Sequence, residues 1–200
     1  MQHDAPPLGR RERNKQQKLE RITEAARELF SKYGVDEVTT QQIADQADVG
    51  TGTLFLYAKS KAELLLLVHN VKYADAIERG VSAASRTPDQ LDAVMAIVRP
   101  IVECNRVQIE NGRTYLRELV FGEPEEPYHR EGLALNGRVE AAFVDVLRRD
   151  DRMSEPDATL LARAISAVIF ISITATIYID LSDDEVIGVI RDHVRVLLPR

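Results

Sequence analysis

One cysteine, Cys104, stands in 200 residues, so no intrachain disulfide can form. A chain without a disulfide framework suits a reducing compartment, and the expected location is the cytoplasm. Histidine is nearly as scarce. His3, His69, His129 and His193 lie far apart, and no Cys/His set has metal-ligand spacing. Walker A, GxSxG and HExxH motifs are missing too. So is strand-like alternation bounded by turns, and with it the buried strand that precedes a dinucleotide-binding loop. No metal and no cofactor are therefore expected. The opening MQHDAPPLGRRER has no apolar centre and does not read as a secretory leader. The nearly uncharged run AISAVIFISITATIYI, residues 164–179, has 16 residues, fewer than the roughly 20 that span a bilayer. It also carries Ser166, Ser172, Thr174 and Thr176, and reads as a core helix buried on all sides, with no membrane partner.

What the chain does hold is helical periodicity from about residue 15 onward, which predicts an all-α fold of roughly nine helices. Leu19, Ile22, Ala26, Leu29, Phe30 and Tyr33 recur at three- and four-residue steps up to Gly34, a C-terminal cap. Thr39 or Thr40 opens the next helix. Ser60, with Glu63 three positions on, opens a long one that runs to Gly80. Another starts near Thr87-Pro88, and Pro100 is expected to kink or break it. A short helix covers residues 112–121, a loop 122–132 and a further helix 133–149. Ser154 starts the apolar helix ending near Ile179, and Ser182-Asp-Asp-Glu starts the last, over residues 183–197.

The charge is uneven. The whole chain carries −6, but residues 10–21, RRERNKQQKLER, hold six basic and two acidic side chains, a net of +4. A basic lead before a near-neutral small domain and an acidic larger one suits contact with a polyanion at one end.

The run TTQQIADQADVGTGTLFLYAKSK, residues 39–61, concentrates the candidate chemistry. Tyr57 and Lys61 have Tyr-x-x-x-Lys reductase spacing, and that reading needs a strand before residue 50. Alternatively the run folds as helix, turn and helix, over residues 40–47 and 51–57. Ile43, Ala47, Val49 and Leu54 then point inward, with the small Ala44 at the crossing. Thr40, Gln41, Gln42, Thr51, Thr53 and Tyr57 point outward, and Asp48 takes the left-handed turn position.

Residues 22–65, ITEAARELFSKYGVDEVTTQQIADQADVGTGTLFLYAKSKAELL, resemble the DNA-binding domain of the TetR family of transcriptional regulators. The chain departs from that family's pattern at Asp48 (commonly Gly), Gly50 (Ser), Phe55 (Tyr) and Ala58 (Phe). The resemblance implies a flexible tail over residues 1–13, a helix-turn-helix domain over 14–60 and an effector-binding and dimerisation domain over 61–200. DNA contacts are expected from Thr40, Gln41, Gly50, Thr51, Gly52, Thr53, Phe55, Leu56, Tyr57 and Lys61, with Thr40 and Lys61 on phosphates and Thr51, Gly52 and Thr53 at base edges. Gln42 and the arm residues Arg10, Arg11, Arg13 and Lys15 are further candidates. An effector pocket is expected to involve Cys104, Val107, Tyr115, Leu119, Phe121 and Phe143. A homodimer interface is expected to involve Ala167, Phe170, Ile171, Thr174, Tyr178, Ile187, Ile190 and Val194. The implied partners are a palindromic double-stranded DNA operator, a second copy of the chain and a small-molecule effector that releases the repressor. A ligand-independent DNA-binding protein of the same build, of nucleoid-occlusion type, is the alternative, and it calls for a filled core.

Overall fold

A computed structural model describes residues 9–198. Its regular structure among the described residues is helical, with no strand. Contacts divide the chain into two compact units, up to Val68 and from His69.

The first unit contains α1 (Arg10–Tyr33), α2 (Thr40–Gln46), α3 (Thr51–Leu54) and the first residues of α4 (Lys61–Ala84). Ile22, Ala25, Ala26 and Phe30 form the buried face of α1. Leu19 and Leu29 are only half-buried and Tyr33 is half-exposed, at the edges of that stripe. Gly34 ends the helix at φ 82°, its N–H bonded to the Phe30 carbonyl at 3.0 Å. The expected tail is only partly covered. Residues 1–8, with His3, Pro6 and Pro7, lie outside the described residues, whereas residues 10–13 are already helical because no breaker follows Gly9. The N–H of Arg13 bonds the Gly9 carbonyl at 3.0 Å and starts the ladder.

The second unit holds the rest of α4, then α5 (Gln90–Arg106), α6 (Ile109–Phe121), α7 (Pro127–Leu147), α8 (Glu155–Thr174), a short 3₁₀ turn (Thr176–Tyr178) and α9 (Asp183–Leu197). Three expectations are corrected here. First, α5 starts after its N-cap Asp89 and runs unbroken through Pro100. The proline sits where Gly80 of α4 approaches α5. A Cβ on Gly80 would lie 2.9 Å from Ile97 Cα and 3.2 Å from Pro100 Cγ. Second, α7 begins at Pro127, inside the expected loop, because proline lacks only an N–H that a first helical turn leaves unbonded anyway. Third, α8 ends at Thr174 and is not buried all round. Ala158, Ala162, Ile165, Ile169, Ser172 and Ile173 are buried, but Leu160 and Ile171 are more than half exposed. Among the described residues α8 is the one helix long and apolar enough to cross a membrane. Here one of its faces lies in the core, packed with α6, α7 and α9.

Charge clamps hold α9 to α5. Arg106, its side chain 3% exposed, donates to Asp183 at 2.8 Å and to the Leu181 carbonyl. Arg99 pairs with Asp184 at 2.8 Å and Arg191 with Asp92 at 2.6 Å. Arg113 of α6 donates to the Thr174 carbonyl at 3.0 Å and so fixes the end of α8.

Candidate functional sites

In the first unit the turn between α2 and α3 is built from local bonds. Thr39 Oγ1 accepts the Gln42 N–H at 3.2 Å, and Gln42 Oε1 accepts the Thr39 N–H at 2.8 Å, a complete capping box. Gln42 is therefore committed to the cap. Asp48 takes the left-handed conformation at φ 50°, and its exposed carboxylate accepts from Arg21 of α1 at 3.2 Å. The Val49 N–H reaches the Ala44 carbonyl at 3.0 Å, which closes the turn. Ile43, Ala44, Ala47 and Leu54 are buried, and Val49 is half-buried.

The outward side presents the other residues. Gln41 donates to Asp45 at 2.7 Å and accepts from Thr51 Oγ1 at 2.7 Å, so a polar chain links α2 to the first turn of α3. Gly50 and Gly52 are exposed. A Cβ on Gly52 would meet nothing within 4 Å, and one on Gly50 only Thr53 Oγ1 at 4.0 Å. Thr40, Thr51, Thr53 and Tyr57 are half-buried, Phe55 is 40% exposed and Leu56 83% exposed. Helix α3 is shorter than expected. Phe55, Leu56 and Tyr57 form a turn after Leu54 rather than a further helical turn. Lys61 Nζ donates to the carbonyls of Val38 at 3.1 Å and Asp36 at 3.4 Å. The strand that a reductase requires before residue 50 does not occur among the described residues.

One feature escaped the sequence reading. Arg11, Glu12, Asn14, Lys15 and Lys18 of α1, three cations and one carboxylate, line a surface groove of about 720 Å³ together with Thr53, Leu56 and Tyr57. The signal was the spacing of Arg11, Lys15 and Lys18, four and three residues apart, which places three cations on one helix face.

In the second unit a cleft of about 450 Å³ opens among α5, α6, α7 and α8. Tyr73, Ile101, Leu116, Leu119, Val139 and Ile169 give it an apolar interior. Asn136, Glu140, Arg163 and Ser166 supply its polar groups. Of the expected pocket residues only Leu119 lines it. Tyr115 is buried behind Tyr73, their rings 5.6 Å apart and edge-on, and Phe143 is fully buried core. Val107 and Phe121 are 78% and 76% exposed, because each falls at the end of its helix on the outward side. Cys104 is part-buried, its sulfur 3.9 Å from His69 Nε2.

That histidine belongs to a buried polar cluster. His69 Nε2 lies 3.2 Å from Asn105 Oδ1, its ring stacks on Tyr115 at 4.1 Å, and Tyr115 Oη donates to Asn70 Oδ1 at 3.0 Å. Burial, and next the positive charge of Lys72, push the imidazole down to about 4. Burial likewise pushes the Cys104 thiol up to about 11 and raises the phenols of Tyr73 and Tyr115. At neutral pH the cluster is uncharged. Among the described residues no group of three His, Cys, Asp or Glu side chains is placed to hold a metal ion.

Burial sorts the expected interface residues. Ile187, Ile190 and Val194 are buried inside their own unit, on an α9 that packs with α5, and so present no surface to a partner. Ala167 and Ile171 are exposed, and Phe170, Thr174 and Tyr178 are half-buried.

Residues 22–68 match the model of the bacterial regulatory proteins, tetR family. Over 67 residues the chain is 34% identical to the fatty acid metabolism regulator protein of Bacillus subtilis (strain 168). That stretch is 34% of this chain and about a third of the relative's length. The whole fold resembles that of Thermus thermophilus FadR, a TetR family transcriptional repressor in complex with lauroyl-CoA. The TM-score is 0.71 at 21% identity, over 90% of this chain and 93% of that one. It also resembles FadR from Bacillus subtilis in complex with stearoyl-CoA, with a TM-score of 0.64 at 17% identity over 90% and 97% of the two chains. A TetR transcriptional regulator from Rhodococcus sp. RHA1 gives 0.70 at 19% identity over 92% and 97%.

Proposed function

We propose that this chain, which belongs to the tetR family by the domain at residues 22–68, is a cytoplasmic transcriptional repressor that binds operator DNA as a homodimer and is released by an acyl-type small molecule. The observation that carries the DNA reading is the bare outward edge of the first unit: Gly50 and Gly52 at the start of α3, flanked by Thr51, Thr53 and the exposed Leu56. With no side chain at two positions, backbone and threonine hydroxyls approach base edges closely, and the Leu56 and threonine methyls suit thymine methyl groups. The cationic face of α1 gives Arg11, Lys15 and Lys18 to phosphates. Lys61 has three N–H donors, two of them on backbone carbonyls, and keeps one for a phosphate.

The effector reading rests on the second unit. A mostly apolar cleft of about 450 Å³ is of ligand size and speaks against the filled core that a ligand-independent protein calls for. Two neighbours of the same fold are described as complexes with acyl-CoA, and this cleft has the apolar interior that an acyl chain requires. Dimerisation is supported by the exposed stripe Leu160, Ala167 and Ile171 on α8, with Val196 and Leu197 on α9.

Selection of random duplexes on the purified full chain tests the proposal. A two-fold symmetric motif is expected, with lauroyl-CoA lowering affinity for it. Retention of DNA with no enriched motif would refute operator binding. A motif whose affinity no acyl-CoA alters would refute the effector.

A further inference from the structure

We infer that Arg163 of α8 selects an anionic ligand for the cleft of the second unit, and that Glu140 of α7 holds the ligand's place until it arrives. The inference rests on the acyl-effector reading and names the side chains that choose among acyl-type molecules. Among the described residues that line the cleft, Arg163 is the one cation and Glu140 the one anion. Both are open to solvent, with 64% and 30% of their side chains exposed, so a molecule entering the cleft can touch them. Tyr73, Ile101, Leu116, Leu119, Val139 and Ile169, by contrast, are at most 7% exposed and offer only apolar wall.

The pair is loosely made. Arg163 Nε lies 3.8 Å from Glu140 Oε2, beyond hydrogen-bond distance, and Arg163 makes no hydrogen bond among the described residues. The pairs that hold α9 to α5 differ. Arg106–Asp183 and Arg99–Asp184 close to 2.8 Å and Arg191–Asp92 to 2.6 Å. Those arginines have their donors engaged in holding helices together. Arg163 keeps the N–H groups of a planar fork that fits a carboxylate or a phosphate through two parallel bonds. An exposed ion pair of this kind adds little to stability, so little is lost when it opens. A ligand that answers both features has a hydrocarbon part for the apolar walls and an anionic group that displaces Glu140 from the guanidinium. The anionic group is the chemistry recognised, and a fatty carboxylate or the phosphates of an acyl-CoA can supply it.

Calorimetric titration of the full chain with laurate, lauroyl-CoA and uncharged 1-dodecanol tests this in the wild type and two variants. Arg163→Gln is expected to weaken binding of the anion roughly tenfold, the worth of one charge-assisted contact. Glu140→Gln is expected to tighten it roughly threefold, because a competing carboxylate has gone. 1-Dodecanol is expected to bind more weakly than the anion, with neither variant changing its affinity. Damage to the cleft would weaken binding in both variants, so the opposite signs read the charge itself. A response by laurate makes the carboxylate the recognised group, and a response by lauroyl-CoA alone makes it the phosphates; either supports the inference. Unchanged affinity for both anions in Arg163→Gln, an equal loss for 1-dodecanol, or no gain in Glu140→Gln would overturn the inference and leave the acyl reading standing. Failure of all three probes to bind the wild type would overturn both.

Discussion

The glycines that open α3 and those at the helix crossings of the second unit have opposite surroundings. In the first unit, Gly50 and Gly52 open α3 with space where a side chain would be. In the second, Gly80, Gly112 and Gly132 stand where helices meet, whereas Gly137 and Gly188 are as open as Gly52. A Cβ on Gly112 would lie 1.8 Å from the Asn105 carbonyl oxygen, and one on Gly132 would lie 2.3 Å from Leu119 Cδ2. The same residue type serves opposite purposes. The first unit leaves its backbone bare at the start of α3, and the second lacks three side chains where its own helices close. Polar groups follow the same division. Thr51, Gln41 and Asp45 are bonded into a surface chain, whereas His69, Asn70, Asn105 and Tyr115 are bonded inside a core.

The sharpest way to break this contrast is Gly112→Ala. The contact is with backbone at the corner between α5 and α6 and cannot be relieved by turning a side chain. A loss of about 3 kcal/mol in urea denaturation is expected. Stability equal to wild type would mean that the corner is loosely packed and that the contrast fails.

Acid should act through the second unit. The His69 imidazole is held at about 4 in the fold, against an ordinary value of 6.5. Between those values the unfolded chain takes up a proton that the native state refuses, so stability is lost as pH falls from about 6.5 towards 4. The ceiling of that loss is roughly 3 kcal/mol. Between residues 9 and 68 there is no histidine to contribute. Denaturation midpoints measured from pH 7 to pH 4 should fall for the wild type and flatten over that window in His69→Gln. Equal slopes in the two proteins would remove His69 as the cause.

The starts of α2, α4, α8 and α9 were legible in the sequence because a cap is a local contact, whereas those of α5 and α7 were not. Thr39, Ser60, Ser154 and Ser182 each accept an N–H from three residues on, as their spacing implied. The left-handed turn was readable at Asp48 for the same reason. Helix breaks were less so. Pro100 was expected to kink or break α5, and the helix is not broken there; the proline ring lies against the open side of Gly80 on another helix. The cleft was least legible. Whether an apolar residue such as Phe143 or Val139 faces a cavity or the core depends on how α6, α7 and α8 are rotated against one another, and only Leu119 was anticipated. The same holds for α9, whose buried Ile187, Ile190 and Val194 had been assigned outward. On the outward face of the first unit the residues were anticipated because the turn orients them. The groove that Lys18 and Asn14 share with Leu56 was missed because it joins segments distant in sequence.

The smallest expected effect on the fold goes with the most direct test of the central claim, that the bare start of α3 is where DNA is met. Gly52→Ala adds a methyl group in open space at a helical position. Folding stability should stay the same or rise by about 0.5 kcal/mol, since alanine favours helix over glycine. Affinity for the selected DNA motif should fall at least tenfold, measured by fluorescence anisotropy on the same preparation. Unchanged affinity for that motif, with the fold intact, would contradict the account.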